Sequence, residues 1–279
     1  MLSFRASSFE TYPACGRRFG ANWLASSGEG RALGFTFPPR RQGVGAVCGT
    51  GMHAGTGYLM KEWQATGEHG GLQRLERAQD VASTEVRELT RPEHQVVMDP
   101  NGPTKSAWQA IQVTQSMVAR IHDEFRPTSA PKIVEKGLQA DYPGGFRVTG
   151  TLDLFLVAGE LNDHKSWSKI RPKAYAQTGT YSILLRSNKH EVDKVAINAV
   201  QRRKDGAGPV ERIDVNRDVA ERHAMNVAKR AARDIQAMID TGDPEELIAN
   251  PSDPLCGEKY CCAWNTPFCR IGALVNKKA

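Results

Sequence analysis

The chain has 279 residues, 40% of them hydrophobic and 24% charged, with a net charge of +6. No apolar run approaches the roughly 20 residues of a membrane helix. The opening MLSFRASSFETYPACGRRFG lacks the apolar stretch of a secretory signal, so these features exclude a membrane span and predict a cytoplasmic protein.

The basic surplus suits a polyanionic partner. There are six cysteines. Cys15 and Cys48 lie near the start, and Cys256, Cys261, Cys262 and Cys269 crowd the end. Structural disulfides are rare inside cells, and clustered thiols there point to a metal site.

In chain order, SSFETYPACGRRFGANWLA reads as a short helix capped by Ser7 or Ser8. Residues 26–49 are rich in Gly, Pro and Arg and read as loop. A helix is expected from about Met52 through HAGTGYLMKEWQ, broken by GEHGG. Residues 72–103 are polar and give no clear element. Pro103 to Phe125 carries Trp108, Ile111, Met117 and Ile121 at helical spacing. KIVEKGLQADYPGGFRVTGTLDLFLVAGELNDHKSW reads as strand, Pro-Gly-Gly turn, strand, tight turn, strand. RPKAYAQTGTYSILLRS reads as a helix with Pro172 in its first turn, and VDKVAINAVQR as a further strand. NRDVAERHAMNVAKRAARDIQAMIDTG reads as a long helix ending at Gly242. The order predicts an α/β (α+β) chain with a mixed central sheet flanked by helices.

The hairpin from Gly150 to Trp167 carries the chemistry. If Val157–Gly159 is a three-residue loop with Gly159 left-handed, Leu156 faces Glu160 and Asp153 lies opposite Asp163. Opposed Cβ atoms stand roughly 4.5–5.5 Å apart, where like charges repel. A divalent cation between them reverses that sign. Lys165, two residues past Asp163, projects from the same face. A one-residue slip would turn the two acids to opposite faces, and a solvent-facing hairpin with scattered charges is the plain alternative.

Asp153 followed by Asp163-His164-Lys165 resembles the signature of the PD-(D/E)XK nuclease superfamily. GTGMHAG, residues 49–55, is similar to the Gly-rich, His-bearing first motif of its RecB-type branch. QTGTY, residues 177–181, is similar to that branch's Q-x-x-x-Y helix motif, and SSFETYPACGRRF to its N-terminal segment. One early cysteine and three late ones resemble the iron–sulfur variety, which includes CRISPR-associated RecB-like exonucleases, phage relatives and the AddB nuclease domain.

The resemblance implies a restriction-endonuclease-like core over residues 31–244, with a helical segment at about 60–130. It also implies a cysteine-cluster subdomain formed by residues 1–30 and 245–279, joining the two ends. His53, Asp153, Asp163 and the backbone carbonyl of His164 would hold Mg²⁺ or Mn²⁺. Lys165 would orient water or stabilise charge, with Gln177 and Tyr181 holding the Lys165 and phosphate end. Cys15, Cys256, Cys269 and, over its neighbour Cys262, Cys261 would bind a 4Fe–4S cluster, with zinc the rival. Cys48 reads as a buried spare.

The implied activity is exonucleolytic hydrolysis of single-stranded DNA or duplex ends, in a bacterial or phage-encoded protein. The implied partners are DNA, bound without sequence preference, and recombination or CRISPR-adaptation proteins; no membrane partner is implied. Lys169, Arg171, Lys173, Arg186, Arg202, Arg203 and Lys204 are candidate phosphate contacts. Two rival readings are a non-catalytic DNA-end-binding accessory and a zinc-bound nucleic-acid-binding protein.

Overall fold

The computed structural model describes residues 1–27, 29–38, 41–100, 102–168 and 175–270. The strands are β1 (Ser3–Arg5), β2 (Pro131–Tyr142), β3 (Phe146–Leu156), β4 (Glu160–Trp167), β5 (Lys194–Arg203) and β6 (Gly206–Val215). The helices are α1 (Thr11–Ala14), α2 (Gly16–Ser27), α3 (Glu29–Ala32), α4 (Val44–Thr66), α5 (Leu72–Leu89), α6 (Ala107–Glu124), α7 (Tyr175–Ser187) and α8 (Arg217–Thr241).

All six strands form one mixed sheet. β2 runs antiparallel to β3 from Pro131–Leu156 to Tyr142–Phe146. The other edge of β3 is shared. β1 pairs parallel with Arg147–Thr149, and β4 pairs antiparallel only with Leu154 and Phe155. β4 and β5 are parallel along the whole of β4, so a crossover is required, and α7 supplies it. β6 closes the far edge against β5.

One apolar core joins the sheet to α2, α7 and α8, through residues such as Phe19, Leu152, Tyr181, Leu184 and Ile235. The second joins it to α4, α5 and α6, through Met52, Met60, Met117, Ile121 and Leu154. The expected helix-flanked mixed sheet is therefore the architecture. Among the described residues no helix is long and apolar enough to cross a membrane.

Several local expectations are corrected. The first helix is broken at Cys15, which is extended at φ −163° and ψ 108°, and neither Ser7 nor Ser8 caps it. α4 begins at Val44, eight residues before Met52, so the Gly-rich stretch is helical. Residues 72–89 form α5, whose buried face is built from Ala78, Ala82, Ser83 and Val86, too small a set to show as apolar periodicity. Trp108 is 63% exposed, off the apolar face of α6. β1 and β6 are additional strands that the sequence pattern does not disclose. The first has three residues; the second is an edge strand carrying Pro209, a residue tolerated at edges. The α7 reading holds from Tyr175, while Pro172, Lys169, Arg171 and Lys173 lie outside the described residues.

The two chain ends are tied by buried arginines of α2. Arg17 donates to the carbonyls of Leu247 and Phe268, each at 3.0 Å, and pairs with Glu245 at 2.9 Å. Arg18 pairs with the buried Asp253 at 2.9 Å. Gly20 lets Leu247 pack in, since a Cβ there would sit 2.2 Å from the leucine side chain. Arg17→Ala leaves two buried carbonyls without a donor. It should lower unfolding free energy by about 1–3 kcal/mol in denaturant titrations and expose residues 245–270 to proteolysis. An unchanged midpoint would contradict this latch.

Candidate active site

The hairpin turn is as expected: Gly159 has φ +74°, and Leu154 pairs with Asn162 and Phe155 with Leu161. One more rung would bring Asp153 opposite Asp163, but the ladder stops there. Instead, Asp153 Oδ2 accepts the His164 backbone N–H at 2.7 Å. The ladder on the opposite side also skips Asp153. Val134–Leu154 and Lys136–Leu152 are paired, and Glu135, between them, is left-handed at φ +43°. For a non-glycine residue that conformation costs roughly 1–2 kcal/mol.

The sheet changes phase at this point. Val148 and Leu152 lie in the core with α7 and α8, whereas Leu154 and Leu156 lie in the core with α4–α6. Regular alternation would put all four on one side. Glu135, Asp153 and Asp163 thus stand at one level across three adjacent strands, where the sheet opens.

His53 reaches the opening from α4. Gly57 lets the helix lie close: a Cβ there would be 2.8 Å from Glu135 Cγ. At Gly49 a Cβ would be 3.1 Å from Ser166 Oγ. On the helix's other side, Gly51 and Gly55 admit Val86, Thr114 and Val118, which explains the glycines of residues 49–55 by packing. His53 Nδ1 lies 3.3 Å from Asp153 Oδ1 and 3.7 Å from Glu135 Oε1. Among the described residues, His53, Glu135 and Asp153 are the set whose potential metal-ligating atoms all lie within 4.8 Å of one another.

Lys165 Nζ sits 2.9 Å from Asp163 Oδ1 and 2.8 Å from Oδ2. Asp163 has no solvent exposure. A cavity of about 860 Å³ is lined by His53, Glu135, Asp153, Lys165, Gln177 and Tyr181. Asp163 stands behind it, under the lysine. Gln177 Nε2 donates to Tyr181 Oη at 2.9 Å, so the helix pair converges on the cavity as expected. The Gln177 backbone N–H in turn donates to Glu10 at 2.9 Å, which burial raises in pKa.

These charges are strongly perturbed. Burial works against an ionised His53, but Asp153 and then Glu135 outweigh it and push the imidazole up to about 10. Burial also opposes Asp153, yet His53 and Lys165 hold it well below the usual carboxylate range. Burial raises Glu135. Asp163 is pushed up to about 6 by burial and by Asp153, with Lys165 acting in opposition. Lys165 is raised, because Asp163 and Asp153 overcome its burial. The His164 ring points away from the cavity, edge-on to Phe125 at 5.2 Å, and burial lowers it to about 4.

Glu135 is the residue that the sequence did not disclose. An acid between Val134 and Lys136 reads as ordinary polar alternation in a strand. Two suggested phosphate contacts are occupied internally. Arg186 pairs with Glu221 at 2.7 Å, and Arg202 donates to Ser166 O at 2.7 Å and Gly45 O at 3.1 Å.

The second cluster lies at the chain ends. Cys15 Sγ accepts the backbone N–H groups of Arg18 and Asn250 at 3.4 and 3.5 Å. Burial and then the thiols of Cys261, Cys15 and Cys269 push Cys256 up. Burial, Cys269 and Cys15 do the same to Cys261. Cys262 instead turns to Asn22 Oδ1 at 3.6 Å, and Cys48 is buried against α6.

No family model matches the chain, and no curated protein matches it. Its structure is similar to the crystal structure of a "Putative exonuclease" from Eubacterium rectale, with a TM-score of 0.57 and 12% identity over 90% of this chain and 86% of that one. The likeness is one of fold. A crystal structure of SSO0001 gives a TM-score of 0.31 at 9% identity, over 76% of this chain and 85% of that one, too slight to bear on the architecture.

The His53–carboxylate contact sets a pH dependence for the metal-free protein. A folded pKa raised from 6.5 to about 10 gives stability that is complete below pH 6.5 and lost as pH rises through 10. The Tm difference between wild type and His53→Gln in chelator should shrink across that window. A constant difference would contradict the pairing.

Proposed function

We propose that the chain is a metal-dependent DNA exonuclease of the PD-(D/E)XK superfamily, RecB-type branch, acting on single strands or duplex ends. The observation that carries this reading is the opening of the sheet at Asp153. It brings His53 Nδ1 to within 3.3 Å of that carboxylate and sets the Asp163–Lys165 pair, at 2.8 Å, beside the same cavity. The shared fold with the Eubacterium rectale protein, whose name is that of an exonuclease, agrees with it. The basic surplus suits DNA in recombination, repair or phage DNA metabolism, with protein partners from those processes or from CRISPR adaptation.

His53, Asp153, Asp163 and the His164 carbonyl are the residues that would hold Mg²⁺ or Mn²⁺, the two carboxylates and the carbonyl being the oxygen donors such cations take. A divalent cation so bound supplies an activated water and a charge on the phosphoryl oxygen. Lys165, kept cationic by Asp163, faces the cavity and neutralises negative charge that develops at phosphorus. Asp163 fixes the ammonium in place. Gln177 and Tyr181 wall the opposite side and position the phosphate end of the substrate. Exclusive positioning and charge neutralisation suit phosphoryl transfer, in which the protein has little covalent work to do.

Cys15, Cys256, Cys261 and Cys269 are proposed to hold a 4Fe–4S cluster that joins residues 1–30 to residues 245–279 as a subdomain beside the core at 31–244. Ligation would deprotonate the thiols and contribute folding free energy directly. Sulfurs around tetrahedral zinc stand about 3.8 Å apart. Among the described residues no three of these sulfurs lie within 4.8 Å of one another. A 4Fe–4S cluster would place its own iron and sulfide atoms between the thiolates. Its role is to tie the chain ends.

Lys165→Ala tests the enzyme. Degradation of end-labelled DNA with Mn²⁺ or Mg²⁺ should fall by about 10²-fold or more, while DNA binding persists. Wild-type protein that binds ends but never shortens them would make it an accessory. A colourless, zinc-loaded protein after anaerobic purification would replace the iron–sulfur assignment.

A further inference from the structure

The shared edge of β3 is open over several residues. β1 occupies it at Arg147–Thr149, and β4 only at Leu154 and Phe155. Between them lies a slot in the sheet, and Gly150, Thr151 and Asp153 there line the cavity of about 860 Å³. Lys165 stands at the Asp153 end, and Arg5, opposite Thr149, at the other. We propose that Arg5 binds a second phosphate of the same DNA strand, an internal one displaced from the bond that is cut. The inference rests on the reading of this cavity as a nuclease site.

Three observations carry it. First, the charge of Arg5 is not neutralised. Its side chain makes no ion pair or hydrogen bond among the described residues, whereas Arg17, Arg18, Arg147 and Arg212 each meet a carboxylate at 2.7–2.9 Å. A guanidinium fits phosphate through paired, charge-assisted hydrogen bonds.

Second, its backbone is fixed. Phe4 and Phe9 are 2% and 0% exposed, with ring centroids 6.0 Å apart. The Arg5 carbonyl accepts the Ser8 hydroxyl at 2.6 Å. With Phe4 in the core, alternation along β1 turns Arg5 to the other face, where it lines the cavity. A donor held in this way binds without the ordering cost of a loose segment.

Third, the separation suits a neighbouring phosphate. Thr149 and Asp153 are about 13 Å apart along a strand that rises roughly 3.3 Å per residue. Lys165 is pinned to Asp163 at 2.8 Å, so the two cations serve different phosphates. Arg5 thereby sets the register of the strand against the cation site and reads no base.

Fluorescence anisotropy of the full chain with end-labelled single-stranded DNA, in chelator so that nothing is cut, tests the proposal. One neutral methylphosphonate linkage is moved along the strand, and wild type, Arg5→Ala and Arg5→Lys are compared, with folds checked by circular dichroism. In wild type, one internal linkage at a fixed distance from the end should weaken binding by about tenfold. In Arg5→Ala the same linkage should cost nothing further, and the salt slope should fall by about one. Arg5→Lys should recover most of the loss. Equal penalties in wild type and Arg5→Ala, an effect confined to a terminal phosphate, or no DNA binding by wild type would overturn the subsite. The arms separate it from the nuclease reading. Arg5-dependent binding by a protein that never cuts DNA with Mn²⁺ removes the nuclease and keeps the subsite. Cutting with Arg5-independent binding does the reverse.

Discussion

The structure depends on one interruption. At Asp153 the sheet gives up a rung on both sides of β3, and a buried carboxylate takes the place of backbone pairing toward β4 through the His164 N–H. A buried charge is tolerable only if it is paired or metal-bound. The rest of the site follows from that requirement. His53 comes from α4, Lys165 from the end of β4, and the left-handed Glu135 from β2.

The same arrangement links the site to the chain ends. Glu10 accepts the Gln177 N–H at the start of α7, and five residues later Cys15 sits extended at the start of α2. Arg17 and Arg18 then clamp the segment that carries the other cysteines. One short stretch near the N-terminus therefore supports both the wall of the cavity and the thiol cluster.

Much of this was legible in the residues. The VAG turn with Gly159 left-handed at its end gives the hairpin register that the structure shows, and the D-x-K spacing puts Lys165 on the face of Asp163. Four-residue spacing joined Gln177 to Tyr181. What escaped reading has physical causes. Glycine depresses helix propensity, which hides the first two turns of α4, although those glycines serve close packing. α5 buries mainly alanine and serine, which carry little periodic signal. Glu135 could not be distinguished from a surface acid, since its role comes from a backbone kink that no residue type announces. The break at Cys15 was hidden inside a helical pattern.

Anomalous scattering from crystals grown with Mn²⁺ is the most direct measurement of the central claim. The account predicts a peak within bonding distance of Asp153 and His53, at the break in β3 beside Asp163 and Lys165. A peak elsewhere, or the absence of any peak at the break in β3, would contradict it.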